Sequence, residues 1–132
     1  TSFLPGRIEE VGKRVILDVA HNPAAMAVLV EHLERRSFHG SVVFGALADK
    51  DFKTMVEMMK KISPHIYIAP VRTERSWGAA EMAACLDGDR VVQCASISDA
   101  CRRALATGEE VVITGSFYTV GEVREGIVCT GN

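Results

Sequence analysis

The sequence lacks the features that mark several large classes of protein. Its net charge is only −2, from 15 Lys+Arg against 17 Asp+Glu, so it has no basic field that would attract nucleic acid or an anionic membrane surface. No apolar run approaches the roughly 18 residues that a membrane-spanning helix needs, and the amino-terminal residues do not have the anatomy of a signal peptide. We therefore expect a cytoplasmic protein with neither nucleic acid nor a membrane as a partner.

The spacing of the cysteines argues against a metal site. The chain has neither a Cys-x-x-Cys pair nor the paired cysteine and histidine spacing of a zinc site, and its four cysteines are Cys85, Cys94, Cys101 and Cys129. Buried or free thiols of a reducing compartment are the favoured state, and structural zinc or disulfides are the alternative. We predict no metal ligands.

Three familiar catalytic and nucleotide-binding motifs are also missing. The chain contains no G-x-x-x-x-G-K-[ST] phosphate loop, no G-x-G-x-x-G dinucleotide turn and no G-x-S-x-G nucleophile elbow. The sequence therefore offers no obvious way to hold a triphosphate by itself.

What the chain does contain is a regular alternation of strand and helix patterns. Short apolar runs rich in β-branched residues occur at residues 15–17, 42–44, 66–68, 111–113 and, more weakly, 91–92, as in strands covered on both faces. Amphipathic helical spacing begins near Met26 and again near Phe52, and weaker helices are predicted at residues 76–86 and 98–107. This rhythm predicts an α/β fold: a Rossmann-like three-layer sandwich with a mostly parallel sheet of five to six strands and helices on both faces.

The same pattern predicts a single domain over residues 1–132. Its 132 residues are about one domain's worth, and 48% hydrophobic with 24% charged residues is a globular composition. Residues 7–11 are expected to add an antiparallel strand at one edge.

Ligands of open parallel sheets bind beyond the carboxyl ends of the strands, so the loops that follow the strands carry the functional candidates. The first loop displays Asp18 and His21 beside a helix start, for which Asn22 is a suitable N-cap and Pro23 a suitable first residue. The positive end of that helix dipole favours an anionic ligand. The alternative is that Asp18 and His21 only hydrogen-bond loop backbone.

Three further loops offer weaker candidates. Lys50 lies after the second long strand, where it can reach a phosphate or carboxylate or can be a solvated loop tip. Ser116 and Tyr118 follow the last strong strand, where Ser116 can equally be a plain helix cap. Arg75 belongs to the charged run at residues 72–75, for which a solvated cluster is the alternative.

Taken together, these loops resemble the C-terminal domain of folylpolyglutamate synthase/dihydrofolate synthase, of the Mur ligase superfamily. The resemblance rests on PGR at residues 5–7, DVAHNP at 18–23, GALADKD at 45–51 and GSFYTVGEV at 115–123. DVAHNP and GSFYTVGEV are the specific blocks, and the four blocks span nearly the whole chain in the family's order.

The resemblance implies an ATP-dependent ligase that joins L-glutamate to a folate or to dihydropteroate through an acyl phosphate. It implies ATP and Mg²⁺ as cofactors, the metal being held mainly by an N-terminal ATPase domain that this sequence does not contain. The expected partners are the substrates and that N-terminal domain. We also expect a monomer and an isolated domain without activity.

The resemblance also assigns roles to residues. It places Arg7 along the adenine or ribose side of ATP, Asp18 at the junction of nucleotide and glutamate, and His21 on glutamate. It places Ser116 on the amino-acid substrate, with Tyr118 close by. Lys50, toward the nucleotide, and Arg75, toward the substrate, are weaker assignments. Asp18 and His21 are thus the predicted catalytic residues.

Two alternatives belong to other functional classes. One is a free-standing nucleotide-binding module. The other is a receiver-like regulatory domain, which the sequence opposes because Gly115 and Ser116 stand where receivers carry a lysine.

Overall fold

The computed structural model describes residues 8–126, with side chains as far as Arg124. Within that range six strands form one sheet: β1 (Glu9–Val11), β2 (Val15–Leu17), β3 (Gly40–Phe44), β4 (His65–Ile68), β5 (Val91–Gln93) and β6 (Glu110–Thr114). Five helices accompany them in the same range: α1 (Pro23–Arg35), α2 (Phe52–Met59), α3 (Ala79–Ala83), α4 (Ile97–Leu105) and α5 (Phe117–Gly126).

The sheet is parallel except at one edge. Its strand order is β1-β2-β6-β3-β4-β5, and only β1 runs antiparallel to its neighbour. In register, Leu17 of β2 stands beside Ile113 of β6, and Phe44 of β3 stands beside Thr114 on the other side of β6. The predicted α/β fold with a mostly parallel sheet and an antiparallel edge strand is confirmed.

Helices cover both faces of the sheet and create two apolar cores. On one face α1, α2 and α3 pack against strand residues such as Ile16, Phe44 and Val112. On the other face α4 and α5 pack against Val43 and Ile113. Successive strand residues point to opposite faces, so burial on both sides requires the unbroken apolar runs seen in the sequence.

The helix starts follow the capping residues. The side chains of Asn22, Asp51 and Ser96 accept hydrogen bonds from the backbone N–H groups of Ala25, Thr54 and Asp99, and Pro23 occupies the first position of α1. Each of these bonds satisfies one N–H that the helix itself leaves without a partner.

The third helix is shorter than the prediction of residues 76–86, since α3 covers only Ala79–Ala83. Ser76 and Trp77 belong to the preceding loop. The Ser76 hydroxyl accepts the N–H of Val71, and Trp77 Nε1 donates to the carbonyl of Ala69 at 2.8 Å. These contacts hold the chain in a loop where local propensity alone favours helix.

The topology creates a crevice at the carboxyl end of β6. The helices that follow β2 and β3 lie on one face, whereas α5, which follows β6 between them, lies on the other. Connections that leave neighbouring strands toward opposite faces open the space in which α/β proteins bind ligands.

No described helix combines the length and apolar character needed to cross a membrane.

Candidate functional site at the carboxyl rim of the sheet

Asp18 is the structural centre of the rim. It lies one residue beyond β2 and is only 4% exposed. Its Oδ1 accepts the N–H of Ala20 at 2.8 Å, its Oδ2 accepts the N–H of Ile8 at 2.9 Å, and its own N–H donates to the carbonyl of Ile113 at 3.0 Å. Hydrogen bonds to a charged acceptor are about twice as strong as neutral ones, so this carboxylate is firmly placed.

His21 lies next to Asp18 and is half-buried. Its Nδ1 is 3.1 Å from the carbonyl oxygen of Val19, which can only accept, so Nδ1 carries the hydrogen and donates. In the neutral ring, Nε2 then holds the lone pair. The imidazole also lies against the ring of Phe117, with centroids 5.6 Å apart, so the β2–α1 loop contacts the start of α5.

Ser116 caps α5 with a hydroxyl that is fully engaged as a donor. Its Oγ accepts the N–H of Thr119 at 3.0 Å and lies 2.9 Å from Thr119 Oγ1. Because Thr119 Oγ1 donates to the carbonyl of Gly45 at 2.8 Å, the hydrogen between the two hydroxyls belongs to Ser116. Ser116 is 1% exposed.

Two glycines allow the backbones after β3 and β6 to touch. Gly115 has φ +120°, and a Cβ built on it would overlap the Gly45 carbonyl. A Cβ on Gly45 would press on Val71, Ile97 and Thr119. The N–H of Gly45 donates to the carbonyl of Thr114 at 3.2 Å, which joins the two strand ends directly.

Lys50 and Arg75 lie on two loops that are joined to each other. The N–H of Ala48 donates to the carbonyl of Arg75 at 2.9 Å, and Leu47 pairs with Ser76 as an isolated antiparallel bridge. Arg75 is exposed and Lys50 half-exposed. Both follow parallel strands, so they belong to the same rim as Asp18.

Beside α5 the rim carries exposed aromatic surface. Phe117 is 63% exposed and Tyr118 40% exposed. With Arg72, Gly121 and Glu122 they line an open depression of about 390 Å³. The carboxylate of Glu122 accepts the N–H of Arg72 at 2.6 Å, which ties α5 to the loop after β4.

Asp18, His21, Ser116 and Tyr118 follow two neighbouring strands, and the contact of His21 with Phe117 joins their two loops. Tyr118 itself lies on the side of α5 that faces Arg72 and Glu122. Arg7 lies outside the described residues. Sequence reasoning did not identify Ile8, Phe117 or Thr119. For Thr119, a local signal was available: it lies three residues after Ser116, which is the spacing between a capping side chain and the N–H that it binds.

The chemistry of this rim suits an anionic or polar ligand. The N-termini of α1 and α5 both begin at the rim, and their partial positive charge favours anions. Among residues 8–126, no group of three or more His, Cys, Asp or Glu side chains is arranged to hold a metal.

Fold and rim together define a class: an α/β domain with polar loops at the crevice beyond its central strands. The family model described as "Mur ligase, glutamate ligase domain" matches residues 6–117. The chain belongs to that family.

Particular relatives are folate enzymes. The dihydrofolate synthase/folylpolyglutamate synthase of Escherichia coli (strain K12) is 33% identical over 130 residues, which are 95% of this chain and 31% of that protein. The bifunctional enzyme of the same kind from Yersinia pestis, solved with AMPPNP and Mn, matches with TM-score 0.81 at 31% identity, covering 94% of this chain and 31% of that one. A bifunctional enzyme with Mn, AMPPNP and L-glutamate bound matches with TM-score 0.82 at 33% identity, covering 94% and 32%. The chain thus spans about a third of the length of these relatives.

Proposed function

We propose that residues 1–132 form the C-terminal domain of a folylpolyglutamate synthase/dihydrofolate synthase, an ATP-dependent ligase that adds L-glutamate to a folate or to dihydropteroate. The observation that carries the proposal is the contact between the DVAHNP loop and the start of α5, where His21 lies 5.6 Å from Phe117 at the crevice beyond β6. The relatives that share this fold are named as folate ligases, and one was solved with AMPPNP and L-glutamate.

The proposed reaction has two steps. The terminal phosphoryl group of ATP passes to an oxygen of the folate or pteroate carboxylate, and ADP leaves. The neutral amine of glutamate then attacks the carbonyl carbon of the acyl phosphate. A C–N bond forms, the C–O bond to phosphate breaks, inorganic phosphate leaves, and the amine loses a proton to solvent or a nearby base.

This domain contributes positioning and electrostatics to that reaction. Two substrates must meet in one geometry, and fixing that geometry removes several kcal/mol of barrier. The helix N-termini at the rim favour the carboxylates of glutamate and the phosphates of ATP. The rest of the enzyme, on this proposal, supplies the phosphate loop, most of the folate site and the ligands of Mg²⁺, because the described residues offer no metal cluster.

On this proposal, individual residues take the following roles. His21 binds a glutamate carboxylate through Nε2–H in its protonated form. Asp18 is the fixed carboxylate where nucleotide and glutamate meet. Arg7 and Lys50 serve the nucleotide, and Tyr118 and Arg75 serve the amino-acid substrate.

Ser116 serves the substrate through α5 rather than through its own hydroxyl. Its hydrogen is already donated to Thr119 Oγ1, so it cannot donate to a ligand without breaking that hydroxyl–hydroxyl bond. The capped helix instead presents the backbone N–H groups of its first turn to the crevice.

The proposal is tested by assaying the complete protein that carries this chain for ADP release. Release should require glutamate and a folate or dihydropteroate together, and the 132-residue chain alone should bind ATP at least about 100-fold more weakly, by roughly 2.7 kcal/mol. Tight ATP binding by the chain alone, without any glutamate-dependent turnover, would favour the free-standing nucleotide-binding module.

His21 offers the sharpest single-residue test. In the complete enzyme, His21→Ala should raise the KM for glutamate about 10-fold or more with a smaller change in kcat, since a charge-assisted contact of about 1.5–3 kcal/mol is lost. The matched control is His39→Ala, an exposed histidine at the amino end of β3 and thus at the far end of the strands from the rim, which should change neither constant. An effect confined to the KM for ATP would assign His21 to the nucleotide instead.

A further inference from the structure

We infer that Asp18 is a positioning residue, whose carboxylate clamps the strained backbone of Ile8 to the rim and thereby fixes the start of β1. This inference deepens the proposed function and rests on it for its catalytic consequence. It concerns a contact within the chain and is therefore separate from any contact that Asp18 makes with a ligand.

Ile8 has a backbone conformation that isoleucine rarely adopts. Its φ is +51°, in the left-handed region that a β-branched side chain disfavours. The other described non-glycine residue with positive φ is Ser37, at φ +55° just after α1, where a left-handed residue normally ends a helix. There the N–H of Ser37 donates to Glu34 and that of Phe38 to Leu33. Ile8 ends no helix, so its conformation needs another cause.

Two contacts hold Ile8 in place. Its N–H donates to Asp18 Oδ2 at 2.9 Å, and its side chain packs on the core between the sheet and α1. In the antiparallel pair of β1 and β2, Glu9 stands opposite Leu17, so Ile8 stands opposite Asp18. At this position the Ile8 N–H is therefore bound by the side chain of Asp18 instead of by the backbone of β2.

Asp18 can act as a clamp because it is itself fixed. Its other oxygen accepts the N–H of Ala20 at 2.8 Å, and its own N–H donates to Ile113 of the central strand. A buried carboxylate with a backbone donor on each oxygen has little freedom to turn. Strained backbone persists where the surrounding structure determines it in this way, and such places cluster at functional sites.

The clamp has a consequence for ligand binding. Residue 7 is covalently joined to Ile8, and on the proposed function it is the arginine that serves the nucleotide. His21 lies three residues after Asp18, in the loop whose Ala20 N–H binds the other oxygen of the same carboxylate. One side chain therefore holds both Ile8, just before β1, and the β2–α1 loop that carries His21.

The contact itself is tested in the 132-residue chain by amide hydrogen exchange. The Ile8 amide should be protected in the wild type and should exchange at least about 10-fold faster in Asp18→Ala, or in Asp18→Asn if the alanine variant does not fold. Ser37→Gly is the matched control, because it relieves the other positive-φ residue, and it should leave Ile8 protected. An Ile8 amide that exchanges freely in the wild type would overturn the inference.

The catalytic consequence is tested in the complete enzyme with Asp18→Asn, Ile8→Pro and the double variant. If Asp18 acts through Ile8, the double variant should raise the KM for ATP about as much as the more damaging single variant, because Asp18→Asn weakens the acceptor and Ile8→Pro removes the donor N–H of the same hydrogen bond. Ser37→Gly should leave the KM for ATP unchanged. Losses that multiply in the double variant, or single variants with an unchanged KM for ATP, would contradict the positioning role. An enzyme without any glutamate-dependent turnover would refute the proposed function. The exchange rate of the Ile8 amide would still show whether Asp18 holds Ile8.

Discussion

At the scale of single residues, two buried threonine hydroxyls near the rim have opposite surroundings. Thr119 Oγ1 accepts from Ser116 and donates to the carbonyl of Gly45, so both of its roles are used. Thr114 is fully buried at the end of β6, and its Oγ1 has no hydrogen-bond partner in the described structure. A buried hydroxyl stabilises only where it is paired, and an unpaired one costs free energy.

We expect substitution by valine to separate these two cases. Thr119→Val should lower the free energy of unfolding by about 1–3 kcal/mol, because the carbonyl of Gly45 and the hydroxyl of Ser116 lose a partner. Thr114→Val should change it by less than about 0.5 kcal/mol or should stabilise the fold. Urea denaturation of both variants measures the difference, and equal losses would show that the bond from Thr119 to Gly45 has no special weight.

Gly115 is the backbone position that we expect to tolerate least change. Gly115→Ala should cost about 3 kcal/mol or more, since the added Cβ meets the Gly45 carbonyl and φ is +120°. Gly108→Ala is the control. Gly108 also has positive φ, at +84°, but has open space around a Cβ, so only the backbone cost of about 1 kcal/mol applies. Thermal denaturation compares the two, and a Gly115 variant no worse than Gly108→Ala would rule out the close contact after β3 and β6.

At the scale of secondary-structure elements, α1 links local sequence to the site. Asn22 and Pro23 fix its first turn, and Met26, Leu29 and Leu33 bury its inner face against the sheet. Its start therefore lies at the rim beside His21, because β2 ends there and only a short loop intervenes. The cap that stabilises the helix also directs its N–H groups toward the crevice.

Removal of this cap should have a defined cost. Asn22→Ala should lower the free energy of unfolding by about 1 kcal/mol, whereas Asn22→Asp, which keeps an acceptor oxygen, should be close to neutral. Guanidinium denaturation provides the measurement. If the aspartate variant lost as much as the alanine variant, the bond to the Ala25 N–H would not be the source of the stability.

At the scale of the whole molecule, the two apolar cores on opposite faces of the sheet bury three cysteine side chains. Cys85 lies in the core beneath α3, and Cys94 and Cys101 lie in the core beneath α4. Burial raises the pKa of the Cys85 and Cys94 thiols above the usual range. For Cys94 the nearby Arg103 guanidinium, 3.4 Å from Sγ, opposes part of that rise.

We expect these thiols to report unfolding of the whole domain. The thiolate is the reactive form, so a raised pKa and burial together keep Cys85 and Cys94 unreactive near pH 7. Cys101 is fully buried, so a reagent cannot reach it in the folded chain. In a Cys129→Ser background, a thiol-specific reagent should label the native chain at least about 100-fold more slowly than the denatured chain, since labelling requires opening of the core. Rapid labelling of one cysteine in the native state would show that its core opens locally.

Much of this architecture could be predicted from local pattern. The strand and helix positions follow from apolar periodicity, and the starts of α1, α2 and α4 follow from Asn22, Asp51 and Ser96. Parallel strands all end at one edge, so the loops carrying Asp18, Lys50, Arg75 and Ser116 were bound to share a rim. The helix at residues 76–86 was overestimated because the bonds of Ser76 and Trp77 to distant backbone were not visible in the local sequence.

The sequence by itself determined which segments are strands and helices, which family the motifs resemble and which loops carry polar groups. Only the tertiary structure decided that β6 lies between β2 and β3, that Ser116 donates to Thr119 and that Asp18 holds Ile8. Periodicity and capping act over a few residues and can be read along the chain. Strand order and the partners of buried polar groups depend on segments that are up to about a hundred residues apart, and packing and hydrogen bonding bring these together only when the whole domain folds.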